Sequence, residues 1–298
     1  MESATYFRGL YTAIVTPFTA DGGIDEEAFA RLVEYQIQGG VQGIVVCGTT
    51  GESPTVTEKE FLKLLTLAKK MAPTGFQIIA GTGSNNTEHV IARSQAALAL
   101  GADALLLASP YYNKPSQKGL IAHYHAIADA VDLPQIVYNV PGRTAVNILP
   151  DTLSILARHP NIKAVKEACG DINQIMDVIK AVPEDFAVLA GDDAISLPTV
   201  AAGGCGVISV ISNEAPAQMN RMIQHALSGD FDAARKVFYT LLPLMKANFW
   251  ESNPMVVKAA LAEMGLIQNV LRLPLVPMDA KFHEPLKNVL RTIGLIEN

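Results

Sequence analysis

The chain has 298 residues, of which 49% are hydrophobic and 17% charged, and its formal net charge is −6. This apolar content is ample for a packed core and excludes a disordered chain. The acidic balance argues against a nucleic-acid partner, because binding phosphates requires clustered positive charge.

The cysteines and the uncharged segments indicate the expected environment. Cys47, Cys169 and Cys205 are too few and too far apart for a disulfide framework or a zinc site, which favours a reducing, cytoplasmic location. The N-terminus shows no secretory signal pattern. The longest uncharged segment, 194–213, contains Pro198 and three glycines, so it predicts buried core and no membrane association.

Strands and helices are predicted to alternate along the chain. Helix starts are marked by Asp25, by Thr57 with Glu60 in a capping-box pattern, and by Thr87 and Pro150. Short apolar runs rich in β-branched residues predict eight strands, at 11–16, 43–47, 77–80, 104–108, 135–139, 163–167, 187–190 and 207–210.

This alternation implies parallel strands joined by right-handed crossovers. A doubly wound open sheet and an eight-stranded barrel both satisfy it, and eight units in about 230 residues match the usual size of the barrel. We therefore predict an α/β fold, a (β/α)8 TIM barrel over residues 1–230. A C-terminal helical extension over 231–298 is predicted to contain helices at 231–250, 254–264 and 281–295.

Function in such a barrel concentrates where the strands end, and Lys166 is the most informative residue there. Alternation of side chains places Ile162, Ala164 and Lys166 on one face of a strand whose two faces are both covered. Burial lowers the pKa of a lysine and supplies the neutral amine that attacks a carbonyl. The alternative is a strand-end lysine paired with Glu167 or an aspartate.

Two neighbouring features fit the same chemistry. Tyr138 shares a strand face with Ile136 and could transfer protons in the barrel mouth, the alternative being a core tyrosine. The glycine-flanked turn at 48–51 places the Thr49 and Thr50 hydroxyls and several backbone N–H groups where a small carboxylate could bind. Its alternative is an ordinary loop between a strand and a helix.

Other motifs are weaker. Arg143 could bind a carboxylate with both ends of its guanidinium, or be a surface arginine. The glycines at 81–83 lack the third glycine of a dinucleotide fingerprint. Asp192 and Asp193 could bind a cation, or complement a helix N-terminus. No motif requires a metal or a cofactor.

Taken together, the motifs resemble those of the dihydrodipicolinate synthase family, within the N-acetylneuraminate lyase superfamily of class I aldolases. The similarity extends over essentially the whole chain. The motifs that carry it are Gly-Thr-Thr-Gly-Glu-Ser at 48–53, Pro-Tyr-Tyr-Asn at 110–113, Tyr-Asn-Val-Pro at 138–141, Lys-Glu-Ala at 166–168, Gly-Asp-Asp at 191–193 and Gly-Val-Ile-Ser at 206–209.

The resemblance implies an enzyme of the diaminopimelate route to L-lysine. Lys166 would form a Schiff base with pyruvate, and the derived enamine would attack L-aspartate 4-semialdehyde. Tyr138, Thr49 and Tyr112 match the family's proton relay, with Tyr112 reaching into a neighbouring subunit's site. No cofactor is implied, and the expected assembly is a homotetramer built as a dimer of tight dimers.

The resemblance also implies binding positions. Thr50 and Ile208, largely through backbone groups, match the pyruvate-binding residues, and Gly191 is a further substrate-binding position. Arg143 matches the residue that holds the carboxylate of the semialdehyde.

The family's effector site is altered in this chain. Members inhibited by lysine have histidines at the positions of Glu58 and Phe61 and a carboxylate at the position of His89, whereas Asn85 and Tyr111 are retained. We therefore expect weak or absent inhibition by L-lysine.

Three other functions are alternatives to this one. An N-acetylneuraminate lyase-like enzyme or a 2-keto-3-deoxy sugar acid aldolase would use the same lysine on the same scaffold. A catalytically silent sensor is disfavoured because Lys166 and Tyr138 are both present. A nucleotide-dependent oxidoreductase is disfavoured because no glycine-rich loop has the full spacing.

Overall fold

Eight parallel strands form a closed barrel in the computed structural model, which describes residues 5–297. Each strand pairs with the next in the chain, and the eighth pairs with the first. The predicted TIM barrel is confirmed, and the open sheet is excluded. The strands are β1 Gly9–Ala13, β2 Gly43–Val46, β3 Gln77–Gly81, β4 Ala104–Ala108, β5 Gln135–Asn139, β6 Ile162–Glu167, β7 Ala187–Ala190 and β8 Gly206–Ser209.

The first strand differs most from the prediction, since it begins two residues earlier and ends three residues earlier. Val15 is buried as its apolar character suggests, but its backbone N–H donates to the Asn213 side chain at 3.0 Å. A side chain that follows β8 therefore replaces the neighbouring strand as hydrogen-bond partner, and the sheet ends there.

Helices cover the outside of the barrel, and none formed by residues 5–297 is both long and apolar enough to cross a bilayer. The predicted capping box at Thr57 and Glu60 is present, Asp25 caps its helix, and Asn86 caps the helix that Thr87 begins. The helices are α1 Glu26–Gln38, α2 Glu58–Met71, α3 Thr87–Ala99, α4 Gln117–Ala130, α5 Pro141–Thr144, α6 Pro150–Leu156, α7 Ile172–Ala181, α8 Ser196–Ala201, α9 Pro216–Leu227, α10 Phe231–Ala247, α11 Met255–Glu263 and α12 His283–Thr292.

The barrel interior is a separate apolar cluster from the layer between strands and helices. Ala164 and Tyr138 belong to the interior, but Ile162 lies in the outer layer, so the prediction that Ile162 shares a face with Lys166 is wrong. The register between β5 and β6 shifts at this point: Gln135 pairs with Ile162, whereas the next residue pairs with Ala164.

The last three helices extend the outer apolar layer. Leu244 of α10, Val256 and Leu261 of α11, and Leu290 of α12 are all buried within it. The helices are each shorter than predicted, because one-turn segments and loops occupy their expected ends. The boundary between a barrel domain and a C-terminal region at residue 230 stays a prediction.

Candidate active site

A cavity of about 380 Å³ opens at the carboxyl ends of the strands. It brings together six residues predicted from the sequence, which come from the ends of β2, β5, β6 and β7. A segment between α10 and α11 closes one side. The lining residues are Thr49, Thr50, Tyr138, Val140, Gly142, Arg143, Lys166, Ala168, Gly191, Asp192, Val210, Phe249, Ser252 and Asn253.

Lys166 lies near the end of β6, directly beside Tyr138 on β5. Only 4% of the lysine is exposed, and its Nζ lies 4.3 Å from the centre of the Tyr138 ring. Burial lowers the pKa of Lys166 to about 8; the charge of Asp193 opposes this shift and that of Arg143 reinforces it. A neutral amine is therefore accessible near neutral pH.

Glu167 does not form an ion pair with Lys166, although the sequence left that pairing open as an alternative. Its carboxylate accepts hydrogen bonds from the Asn139 side chain at 2.9 and 3.1 Å and from the Cys169 backbone N–H at 2.9 Å. Successive residues of a strand point to opposite faces, so Glu167 lies outside the barrel interior. Among residues 5–297, Lys166 forms no ion pair.

Tyr138 carries its phenolic proton at neutral pH. Burial raises its pKa to about 12, against the lowering effects of the Arg143 charge and the neighbouring Thr49 side chain; the charge of Asp192 raises it further. A protonated hydroxyl beside an amine suits a group that passes protons to and from a reacting carbon.

Asn253 joins the loop after β2 to the loop after β5. Its side-chain nitrogen donates to the Thr50 hydroxyl at 2.9 Å, and its backbone oxygen accepts from Arg143 at 3.4 Å. Thr50 is buried, whereas Arg143 is exposed at the mouth of the cavity. The sequence analysis did not identify Asn253, which is more than 100 residues from either partner.

Gly191 and Ile208 have different positions relative to Lys166. A Cβ on Gly191 would lie 2.8 Å from Cβ of Ala168, 3.0 Å from the backbone oxygen of Glu167 and 3.1 Å from Cγ of Lys166, so a side chain there would crowd the strand end that carries the lysine. Ile208 is buried in the barrel interior, where it pairs with Tyr11, and does not line the cavity.

Tyr112 lies apart from this cavity within a single chain. It is 89% exposed and has a positive φ of 71°. The structure therefore does not bring Tyr112 to Lys166, in contrast to Thr49 and Tyr138.

A second cavity of about 630 Å³ adjoins the first and shares Thr49, Val140 and Arg143 with it. Glu58, His89 and Tyr111, three of the candidate effector residues, line it. The other two contribute differently.

Asn85 and Phe61 do not line the second cavity, but each contacts a residue that does. The Asn85 side chain donates to the Tyr111 backbone oxygen at 3.2 Å. Phe61 is fully buried, and the guanidinium of Arg93 lies 4.1 Å above its ring.

Arg93 also lines this cavity, and no sequence motif indicated it. Its side chain is 10% exposed, and one guanidinium nitrogen donates to Glu58 at 3.0 Å. The Nε and Nη2 groups are buried without a hydrogen-bond partner among the described residues. His89 lies 3.5 Å from the same carboxylate. Glu58 is thus shared between two basic side chains.

No group of three or more metal-binding side chains occurs within residues 5–297.

Comparison with known proteins places this geometry in a family. The model of the Dihydrodipicolinate synthetase family matches residues 6–293. A 4-hydroxy-tetrahydrodipicolinate synthase of Syntrophobacter fumaroxidans is 51% identical over 97% of this chain and 100% of its own length. One from Koribacter versatilis is 49% identical over 98% of this chain and 97% of its own.

Solved structures agree with this comparison. A dihydrodipicolinate synthase from Thermotoga maritima superposes with a TM-score of 0.96 at 47% identity, over 97% of this chain and 99% of that one. A chloride-inhibited synthase from Acinetobacter baumannii, complexed with pyruvate, gives 0.95 at 44% identity over the same shares. The chain therefore belongs to the dihydrodipicolinate synthetase family and is an aldolase-type lyase.

Proposed function

We propose that this chain performs the 4-hydroxy-tetrahydrodipicolinate synthase reaction through a Schiff base between Lys166 and pyruvate. The observation that carries the proposal is a buried amine, with a pKa lowered to about 8, beside a protonated tyrosine in an open cavity. The Acinetobacter baumannii relative, whose structure contains pyruvate, supports the choice of first substrate.

The first step uses the neutral form of Lys166. With a pKa of about 8, roughly a tenth of the amine is unprotonated at pH 7. Its lone pair attacks the keto carbon of pyruvate, the keto oxygen leaves as water, and an iminium ion forms. The positive charge then draws electrons from the methyl group, which loses a proton to give an enamine.

Tyr138 is the group placed to move protons in these steps. Its hydroxyl holds its proton at neutral pH, so it can protonate the leaving oxygen and later recover a proton. Thr49 lines the cavity beside it. Tyr112 from a neighbouring copy of the chain is proposed to complete this relay.

The second substrate supplies the aldehyde and the amine that closes the ring. The enamine carbon attacks the aldehyde of L-aspartate 4-semialdehyde, whose oxygen is retained as a hydroxyl. The amino group of the same molecule then attacks the iminium carbon and displaces Lys166. The free amine is regenerated and the six-membered heterocycle is released.

The remaining site residues are proposed to hold the two carboxylates. Thr50, Gly191 and the backbone near Ile208 would together bind the carboxylate of pyruvate. Arg143 at the mouth would bind the carboxylate of the semialdehyde, and Asn253 keeps both loops in place.

Self-association into a homotetramer is part of this proposal. Tyr111 and Tyr112 are adjacent on one loop and expose 41% and 89% of their surface, which leaves both rings available to pack against a second copy of the chain. Light scattering of the purified protein should give the mass of four chains. Tyr112→Phe should lower kcat while leaving that mass unchanged, and a monomeric active enzyme would contradict the assembly.

A neutral sugar aldehyde is a poorer second substrate for this cavity. Arg143 lines its mouth and suits the carboxylate of the short semialdehyde, which N-acetylmannosamine lacks. The test is the rate of pyruvate consumption with L-aspartate 4-semialdehyde or with N-acetylmannosamine. We expect pyruvate to be consumed with the semialdehyde and not with the sugar. Consumption with the sugar and none with the semialdehyde would overturn the proposal.

Inhibition by L-lysine is proposed to be weak. The carboxylate of Glu58, the one acidic group among the described residues that line the second cavity, is already paired with Arg93 and lies close to His89. A cationic amino acid would therefore compete with two basic side chains. Calorimetry should show weaker binding of L-lysine to the parent than to Arg93→Leu, which frees Glu58; tight binding to the parent would contradict this proposal.

A further inference from the structure

Opposite charges line the active-site cavity. Lys166 and Arg143 are its basic side chains, and Asp192 is the one carboxylate among its described lining residues. Both charges affect the Tyr138 hydroxyl, since the charge of Arg143 lowers its pKa and that of Asp192 raises it. Two charges of opposite sign thus act on the same small volume.

Asp192 has one oxygen available for this cavity. Its Oδ1 accepts a hydrogen bond from the Ala194 backbone N–H at 2.9 Å and so caps the short 3-10 helix Asp193–Ile195. Within residues 5–297, Oδ2 has no hydrogen-bond partner and Asp192 takes part in no ion pair. Local structure therefore uses half of the carboxylate.

The neighbouring Asp193 has a different role. It is buried, and its Oδ2 accepts from the backbone N–H groups of Val210 and Ile211 at 2.9 Å each. Asp193 does not line the cavity, so the two adjacent acids do not form a shared cation site.

We infer that Asp192 determines specificity for an amino-bearing aldehyde by binding the substrate's α-ammonium group, while Arg143 binds the carboxylate on the same carbon. The inference rests on the proposed function and concerns the second substrate alone. The contact orients the aldehyde for attack by the enamine. The ammonium group then releases a proton to water in the open cavity, and the neutral amine closes the ring.

The same carboxylate disfavours anionic aldehydes that lack the ammonium group. Such a molecule can still pair its carboxylate with Arg143, but it brings that negative charge near Asp192 without supplying the cation that Asp192 would bind. Selectivity therefore combines attraction of one substrate with repulsion of its closest analogue. Pyruvate, which carries no ammonium group, gains nothing from Asp192.

Asp192→Asn is the variant that tests the inference. Asparagine keeps the size of the side chain and is as good a helix cap as aspartate, so the loop is retained. We expect the KM for L-aspartate 4-semialdehyde to rise about 10- to 100-fold, because a charged hydrogen bond is lost. Inhibition by succinic semialdehyde, which has the same chain without the amino group, should be unchanged or tighter, and the KM for pyruvate should be unchanged.

Asp171→Asn is a matched control. Asp171 also caps a helix through a carboxylate oxygen, accepting from the Asn173 N–H at 2.9 Å, but it lies outside the cavity. It should alter none of the three constants. If Asp192→Asn discriminates between the two aldehydes as strongly as the parent does, the inference is overturned and the proposed function stands. A parent enzyme that does not consume the semialdehyde would overturn both.

Discussion

Lys166 and Lys258 are both buried lysines, and their surroundings are alike in two respects. Each Nζ lies 4.3 Å from the centre of an aromatic ring, Tyr138 for Lys166 and Phe18 for Lys258. Burial lowers the pKa of both amines. Neither apolar contact nor burial therefore distinguishes them.

The difference is the presence of a counter-ion. Lys258 donates to the fully buried carboxylate of Glu52 at 2.6 Å and to the Thr16 backbone oxygen at 2.9 Å, whereas Lys166 has no ion-pair partner among the described residues. Glu52 therefore favours the charged form of Lys258, while Lys166 can release its proton into an open cavity. We infer that a buried lysine can act as a nucleophile where no ion-pair partner keeps its amine protonated.

Lys258 has a structural role that affects the site from outside it. Through Glu52 it connects α11 to the loop that carries Thr49 and Thr50. The backbone N–H of Arg272 donates to the other Glu52 oxygen at 3.1 Å, and the Arg272 side chain pairs with Glu60. The C-terminal region thereby holds the loop after β2.

The largest effect that separates the two lysines is on catalysis. Lys166→Met should lower kcat on the order of 10³-fold or more, because the nucleophile is lost. Its melting temperature should stay the same or rise, since a buried amine without a counter-ion is replaced by an apolar side chain. A variant with near-parental kcat would remove Lys166 from the mechanism.

Lys258→Met should act on stability instead. Removing one partner of a buried ion pair leaves Glu52 uncompensated and is expected to cost about 3–5 kcal/mol of the free energy of unfolding. Denaturant unfolding, with Lys166→Met as the control, measures this cost. An unchanged midpoint would mean that the ion pair does not hold the C-terminal region to the loop.

The pH dependence of imine formation provides a finer distinction. The pKa of Lys166 is about 8, so its neutral fraction, and with it the initial rate of Schiff-base formation, should rise about tenfold from pH 6 to pH 7 and level off above pH 8. Rapid-mixing experiments with pyruvate measure this rate. A rise that continues to pH 10 would show that Lys166 has the pKa of an ordinary exposed lysine.

The sequence predicted Lys166 but not Lys258, and the reason is distance along the chain. Lys166 ends a recognisable strand, where barrel enzymes carry their functional groups. Lys258 lies inside an apolar helix 206 residues from Glu52, and Asn253 lies 203 residues from Thr50. No local pattern reports such pairings.

The fold shows the same division between local and distant effects. Short apolar runs rich in β-branched residues predicted all eight strands, because the composition of a buried strand is a local property. The early end of β1 depends on Asn213, and the position of Ile162 depends on a register shift against β5. Both are set by tertiary contacts that the sequence alone does not specify.

The central claim is tested most directly by trapping the imine. The protein would be incubated with pyruvate, reduced with borohydride, digested and mapped by mass spectrometry. We predict that the reduced pyruvyl group appears on the peptide containing Lys166, and that the peptide containing Lys258 stays unmodified. Pyruvate bound to the protein without any modification of Lys166 would contradict the account.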